Sequence, residues 1–294
     1  WITGGPQTWM FYPEPELIDH LMTAGDIFLM CLIIYLSVKY GKVLPVILSV
    51  LQTALVLYTE FTAETVGGPH MMVDWLTILM CIIIAFIGGF ICIYTVGYMK
   101  GYHAHHKDVK DRQPFFFSML FLFLAAMFGL VLSQNLIWIY FFWEITSVIS
   151  FLMIGYTRTD EAVNNSFCAL WMNLLGGLGF AVGIALMAQL YGTLQLMDVV
   201  ESGALLPLMC LALAGLTKSA QLPFSTWLLG AMVAPTPSSA LLHSATMVKA
   251  GVYLLIRISP ALEGNLVGII ISSIGGLTFI MASMMAIAQN DAKK

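Results

Sequence analysis

The chain is expected to fold as an all-α, polytopic membrane helical bundle of about nine transmembrane helices, and three observations carry that expectation. Its 294 residues are 60% hydrophobic and only 10% charged, where a soluble domain runs nearer one-quarter charged. Apolar runs long enough to cross a ~30 Å hydrocarbon layer as helices recur along the whole length. The basic residues fall overwhelmingly on one side once those runs are counted as spans.

The runs lie near residues 21–39, 44–61, 75–98, 115–132, 136–156, 166–190, 205–232, 239–258 and 266–288. Backbone polar groups in lipid must be satisfied inside each segment, so helices are required; barrel strands would alternate and be shorter. The seventh run is overlong and interrupted. Numbering the loops alternately puts Lys39, Lys42, Lys100, Lys107, Lys110, Arg112, Arg158, Lys293 and Lys294 on one side and only Arg257 on the other. That side is therefore cytoplasmic, with the N-terminus outside and Lys294 inside, in what reads as a prokaryotic inner membrane. A miscounted span would have scrambled the bias.

Smaller features follow the same plan. Trp75, Tyr98, Trp138 and Tyr156 suit an interfacial belt. Thr193 to Glu201 reads as a short amphipathic helix between the sixth and seventh spans. The pairs Gly88-Gly89, Gly176-Gly177 and Gly275-Gly276 fall inside spans and predict close helix packing. The five cysteines all lie in apolar runs without metal-ligand spacing and are expected to be small buried residues. His103, His105 and His106 are placed in a solvated cytoplasmic loop rather than a metal site, and Asp26 near the outer end of the first span. No cleavable signal peptide is visible, and both ends are expected to be cut or processed. The net charge of −4, with no basic patch, suggests no nucleic-acid partner.

The chemistry lies in three ionisable residues near the middle of their spans: Glu144, Lys218 and Lys249. Each costs roughly 2.5–3.5 kcal/mol at a helix centre unless paired or hydrated, so each is a functional candidate. At 4 Å and an effective dielectric near 20, a carboxylate changes the energy of a neighbouring ammonium by about 4 kcal/mol. Moving Glu144 toward or away from Lys218 would load or unload a proton, whereas an ion pair that only fixes helix packing is the plain alternative. Pro223 lacks an N–H and leaves the Ser219 carbonyl without its helical partner. Such a break is tolerated at membrane depth only where protein or water satisfies it, and Ser219, Gln221, Ser225 and Thr226 supply polar lining. Broken helices facing a midplane charge are a recurring transporter arrangement. A further break, Ala234 to Ser239, precedes the eighth span. His243 lies six positions before Lys249, off its helix face, and suits either a relay or ordinary packing.

These residues carry a resemblance. "KSAQLPFSTWLLGAMVAPTPSSALLHSATMVKAGVYLLIR" (Lys218 to Arg257), preceded by "FFWEITSVISFLMIGY" (Phe141 to Tyr156), resembles the antiporter-like membrane subunits. That family includes proton-pumping subunits of respiratory complex I, relatives in energy-converting nickel–iron hydrogenases, and large subunits of multi-subunit sodium/proton antiporters. The resemblance runs from about Val73 to the end, and more loosely into the first two spans. It implies that Glu144, Lys218, Lys249 and His243 line a hydrated axis and that the seventh helix breaks near its lysine. It also implies two inverted repeats, of which only the first is complete here. On this basis residues 1–72 form an N-terminal segment with two spans and 73–114 a third span and loop. Residues 115–258 would be the first repeat with the translocation site, and 259–294 the start of the second. Two departures stand out. Ser225 and Leu228-Leu229-Gly230 replace the family's Pro-Phe-His and Leu-Pro-Asp signatures, and Cys168 replaces a basic residue common in complex I.

The leading expectation is a proton-translocating subunit of a redox-driven pump of the hydrogenase or complex I kind. No redox centre, cofactor or metal site is visible in the chain itself. Iron–sulfur clusters, and a nickel–iron centre in the hydrogenase case, would belong to peripheral redox subunits alongside other membrane subunits. The alternative is the large subunit of a multi-subunit sodium/proton antiporter with no redox partner. Protons are the expected ion, with sodium as the alternative.

Overall fold

The computed structural model describes residues 8–12, 15–62, 68–107 and 109–289. It is a helical membrane bundle, with eight helices long and apolar enough to cross a bilayer among the described residues. They correspond to eight of the nine expected runs. The remaining run is the broken seventh, whose longer helical piece, Leu205–Lys218, is 14 residues, about 21 Å at 1.5 Å per residue and too short to span alone.

In chain order the helices are α1 Pro15–Lys39, α2 Val43–Thr62, α3 Trp75–His105, α4 Gln113–Leu132, α5 Leu136–Ile154 and α6 Asp160–Tyr191. Then come the short α7 Leu196–Ser202, α8 Leu205–Lys218, α9 Thr226–Gly230 and α10 Thr236–Ala240. A π-helical turn, Leu241–Ala245, leads into α11 Met247–Leu262, and α12 Leu266–Ile287 follows. Starts are set by side chains that accept from the exposed first-turn N–H groups. Asp74 accepts from the Thr77 N–H at 2.8 Å, Asn135 from Ile137 at 2.9 Å, and Thr159 from Ala162 at 3.2 Å. Asp160 and Glu161 in the first turn of α6 add favourable charge to its N-terminus.

α6 is the central helix, packed by α2, α5 and α8, with α4 outside α5 and α11 outside α8. α12 stands at the periphery, and Val267 is its one fully buried residue.

The helix ends shift some boundaries. α3 runs seven residues beyond its apolar run, so His103 and His105 close a helix rather than occupy a loop. Two three-residue strands, Trp9–Phe11 and Met71–Val73, pair antiparallel beside α3, a ribbon the hydropathy gave no sign of. α7 matches the expected amphipathic helix, burying Leu196 and Val199. The cysteines depart from expectation: Cys31 is exposed and the other four half-buried.

The glycine pairs divide. A methyl on Gly88 would meet Leu124 of α4 at 2.6 Å, and one on Gly176 would collide with the Thr217 hydroxyl, so both mark close helix contacts. Gly275 and Gly276 meet nothing within 4 Å, and the expectation of packing there is corrected: they lie on the exposed α12.

Candidate functional site

Lys218 is the last residue of α8 and is wholly buried. The chain brings it there because α8 stops just short of Pro223. The ending is a full Schellman cap: Gln221 N–H donates to Leu216 O at 3.0 Å and Ala220 N–H to Thr217 O at 3.1 Å. Ala220 takes the left-handed conformation, φ 54°, that glycine ordinarily fills. The Trp227 indole also donates to Thr217 O, at 3.0 Å, and Gln221 Nε2 reaches the freed Ser219 carbonyl at 3.4 Å. The polar company foreseen around the break thus satisfies it.

The lysine points at α5. Its Nζ donates to the Trp143 carbonyl at 2.8 Å and to Ser147 Oγ at 2.7 Å, and sits 4.8 Å from the centre of the Trp143 ring. Glu144, buried at 3% exposure, follows Trp143 directly. No ion pair within 4.0 Å joins Glu144 to Lys218 among the described residues. The Glu144 carboxylate turns instead toward α2, where Gln52 Nε2 donates to its Oε2 at 2.8 Å. Gly177 of α6 makes the room, since a methyl there would lie 2.5 Å from Glu144 Oε1 and 2.7 Å from Gln52 Oε1.

Beyond the break lies a cavity of about 280 Å³ bordered by Ser219, Gln221 and Ser225 on one wall and by Thr278 of α12 on another. It is roomy and polar enough for several waters. Leu222 N–H donates to Thr278 Oγ1 at 3.0 Å across its rim. Thr226 does not line it; it is exposed and its hydroxyl approaches Met172 Sδ at 3.6 Å. Pro223 is likewise exposed.

Lys249 is not gathered into this site. It is exposed, on a stripe of α11 with Val252 and Ile256. The opposite face, through Ala250 and Gly251, packs on α8 so closely that a methyl on Gly251 would lie 2.5 Å from Gly215 O. The expected meeting of Glu144, Lys218 and Lys249 holds for the first two only, because the helix face that suits close packing turns Lys249 the other way. His243 is half-buried in the π-helical turn that precedes α11.

Three features escaped the sequence. Asp26 does not reach the interface but is buried at 5% exposure. Gln52 signalled nothing as a lone amide in an apolar run. Arg257 is clamped by Asp74, with Nη2 2.7 Å from Asp74 Oδ1 and 2.7 Å from Thr77 Oγ1, and its Nε donates to the Tyr253 hydroxyl at 3.0 Å. Burial opposes the charged form of Asp74, but hydrogen bonds from Arg257 and the Thr77 N–H outweigh it and hold that carboxyl down to about 2. His103 bonds the Tyr156 hydroxyl at 3.0 Å, and no set of three metal-binding side chains occurs among the described residues.

Comparison with known proteins gives a consistent result. A family model described as NADH:quinone oxidoreductase/Mrp antiporter, TM, matches residues 133–294, and one described as NADH-Ubiquinone oxidoreductase (complex I), chain 5 N-terminus, matches 69–108. The chain is 37% identical over 243 residues to a probable K(+)/H(+) antiporter protein of Rhizobium meliloti, its combined A/B subunit, covering 77% of this chain and 24% of the relative. It is 37% identical over 233 residues to the putative antiporter subunit mnhA2 of Staphylococcus aureus, covering 76% and 28%. A chain in the structure of the Mrp complex from Dietzia sp. DQ12-45-1b superposes with a TM-score of 0.65 at 28% identity, covering 93% of this chain and 32% of that one. The chain thus spans about a quarter of the length of these curated relatives. Their names favour the antiporter alternative over the redox-driven pump, and none of them supports peripheral redox subunits.

Proposed function

Because the chain belongs to the antiporter-like membrane subunit family, we propose that it carries the proton-handling site of a multi-subunit cation/proton antiporter. It would work among other membrane subunits in a bacterial inner membrane, with the Lys39–Lys42 loop in the cytoplasm. The observation that carries this is the setting of Lys218: a buried amine at the end of a broken helix, held by two neutral oxygens and not locked to the neighbouring carboxylate. An ammonium so held releases its proton without dismantling an ion pair. Glu144, one residue along α5 from the carbonyl that anchors Lys218, is placed to alter that balance when it swings from Gln52 toward the amine. Protons would reach Lys218 through the cavity at Ser219, Gln221 and Ser225. Residues 115–258 would act as one inverted repeat, and Lys249 would pass the proton to whatever packs on the outer face of α11, with His243 nearby.

Lys218→Arg in the intact assembly tests this. Arginine keeps the charge and hydrogen-bonding capacity but does not give up its proton. Cation-driven proton exchange in everted vesicles is expected to fall to the level of vesicles lacking the assembly. Undiminished exchange by an assembled Lys218→Arg complex would overturn the assignment. The family description also covers NADH:quinone oxidoreductases, whose redox cofactors would sit in partner subunits. Copurification of iron–sulfur proteins would move the reading that way.

A further inference from the structure

α1 and α2 join the site in a way that the proton-handling reading does not use. Asp19, Thr23 and Asp26 recur at i, i+4 and i+7 on one face of α1, covering about 10 Å of axis. Antiparallel to it, Glu60 and Gln52 of α2 lie about 12 Å apart along theirs. The two helices are tied near the N-terminal face of the bundle, where the β-ribbon lies: Thr23 Oγ1 donates to Glu60 Oε1 at 2.6 Å. The Asp19 carboxylate is fixed there by the Trp138 indole N–H at 2.7 Å. Deeper, Asp26 is buried within electrostatic reach of both Glu60 and Glu144, beside Gly25, whose lack of a side chain lets Phe141 of α5 close on α1. The Tyr140 ring, 1% exposed, faces the same two acids, Glu144 and Asp26. Oxygen-bearing groups therefore run from the N-terminal face to Glu144 in one file.

The inner end of that file is chemically incomplete. Glu144 Oε1 and Gln52 Oε1 are both buried without a hydrogen-bond donor, and both crowd the point that a Gly177 side chain would occupy. Two acceptor oxygens desolvated side by side are costly unless something positive lies between them. The available ligands are carboxylate, amide and phenol oxygens, with no nitrogen or sulfur donor, which is the set a hard cation takes. No three acidic, His or Cys side chains come together among the described residues, so the charge count suits a single rather than a double charge.

We propose that Glu144, Gln52 and Asp26 form a binding site for an alkali-metal cation, reached from the N-terminal face between α1 and α2 past Glu60 and Asp19. This rests on the antiporter reading for its physiological meaning: the metal cation and the proton would meet at Glu144 from opposite sides, one over α2 and the other over α8.

Equilibrium binding of radiolabelled sodium, and of radiolabelled rubidium in place of potassium, to the purified intact assembly tests it without turnover. Saturable binding is expected, weakened at least about tenfold, or ~1.4 kcal/mol, by Asp26→Asn, which keeps the side chain's size. Gln52→Leu, which removes the amide oxygen, is expected to weaken it similarly. Absence of saturable binding in the unaltered assembly, or binding unaffected by both variants, would overturn the site. If Asp26→Asn instead leaves cation affinity intact and displaces only the pH profile of exchange, the file conducts protons and the proposal is wrong. Binding is read at equilibrium, so its failure leaves the Lys218→Arg test untouched, and the reverse holds as well.

Discussion

The two interrupted helical segments each carry a lysine, and they treat it in opposite ways. In the first, α8 is capped at the break itself, and Lys218 is drawn wholly inside against Trp143 and Ser147. In the second, the irregular stretch from Leu241 to Ala245 leads into α11, whose lysine faces outward and whose far end is pinned by Arg257 to Asp74. The difference shows that a helix break alone does not bury a charge. What buries Lys218 is the combination of a C-terminal helix position, a carbonyl and hydroxyl waiting on α5, and Gly176 allowing α6 to press against Thr217.

The sharpest way to test that contrast is to replace each lysine with methionine in the intact assembly. Ser147 Oγ still donates to the Trp143 carbonyl at 3.0 Å without Lys218, so no polar group is stranded, and a buried charge exchanged for an apolar side chain often stabilises by about 1–4 kcal/mol. Lys218→Met is therefore expected to raise the unfolding midpoint while abolishing exchange. Lys249→Met should change stability by no more than about 0.5 kcal/mol. Equal stability effects at the two positions would erase the distinction between them.

The clamp at the far end of the second segment comes next. Asp74→Ala leaves Arg257 without its carboxylate and is expected to cost about 2 kcal/mol near neutral pH, measured by thermal unfolding in detergent. The sign with pH is fixed by the depressed carboxyl. Its contribution is complete above the ordinary value of 3.8 and is lost as pH falls toward about 2. The gap between the original chain and Asp74→Ala should accordingly close over that interval, and a gap that persists at its lower end would show that the clamp is not carried by the ionised carboxylate. The smallest effect belongs to the first break. Ala220 holds a positive φ without being glycine, so Ala220→Gly is expected to stabilise by about 0.5–1 kcal/mol. Destabilisation there would mean that the cap is not the geometry that ends α8.

Much of this architecture was legible in the residues. Hydropathy set the long helices to within a few positions, because lipid leaves the backbone few alternatives. Glu144 and Lys218 announced themselves as charges with no reason to be in an apolar run, and the structure does bring them to one place. Lys249 announced itself in the same way and turned outward, since a mid-span position says nothing about which face a helix presents. Asp26 and Gln52 were obscured for the opposite reason: one lies close enough to a span end to pass as interfacial, and the other is an uncharged amide. The β-ribbon of Trp9–Phe11 and Met71–Val73 is too short for any periodicity to register.

At Gly176 and Gly177 the sixth helix has no side chains at all, yet successive residues there face different neighbourhoods, one toward Thr217 and Lys218's helix, the other toward Glu144 and Gln52. The partition between the amine's chamber and the carboxylate's is thus bare peptide, without a methyl group of padding. A displacement on either side presses directly on the backbone that bounds the other, so the molecule is thinnest, and most able to pass a push sideways, at the level where its charges sit.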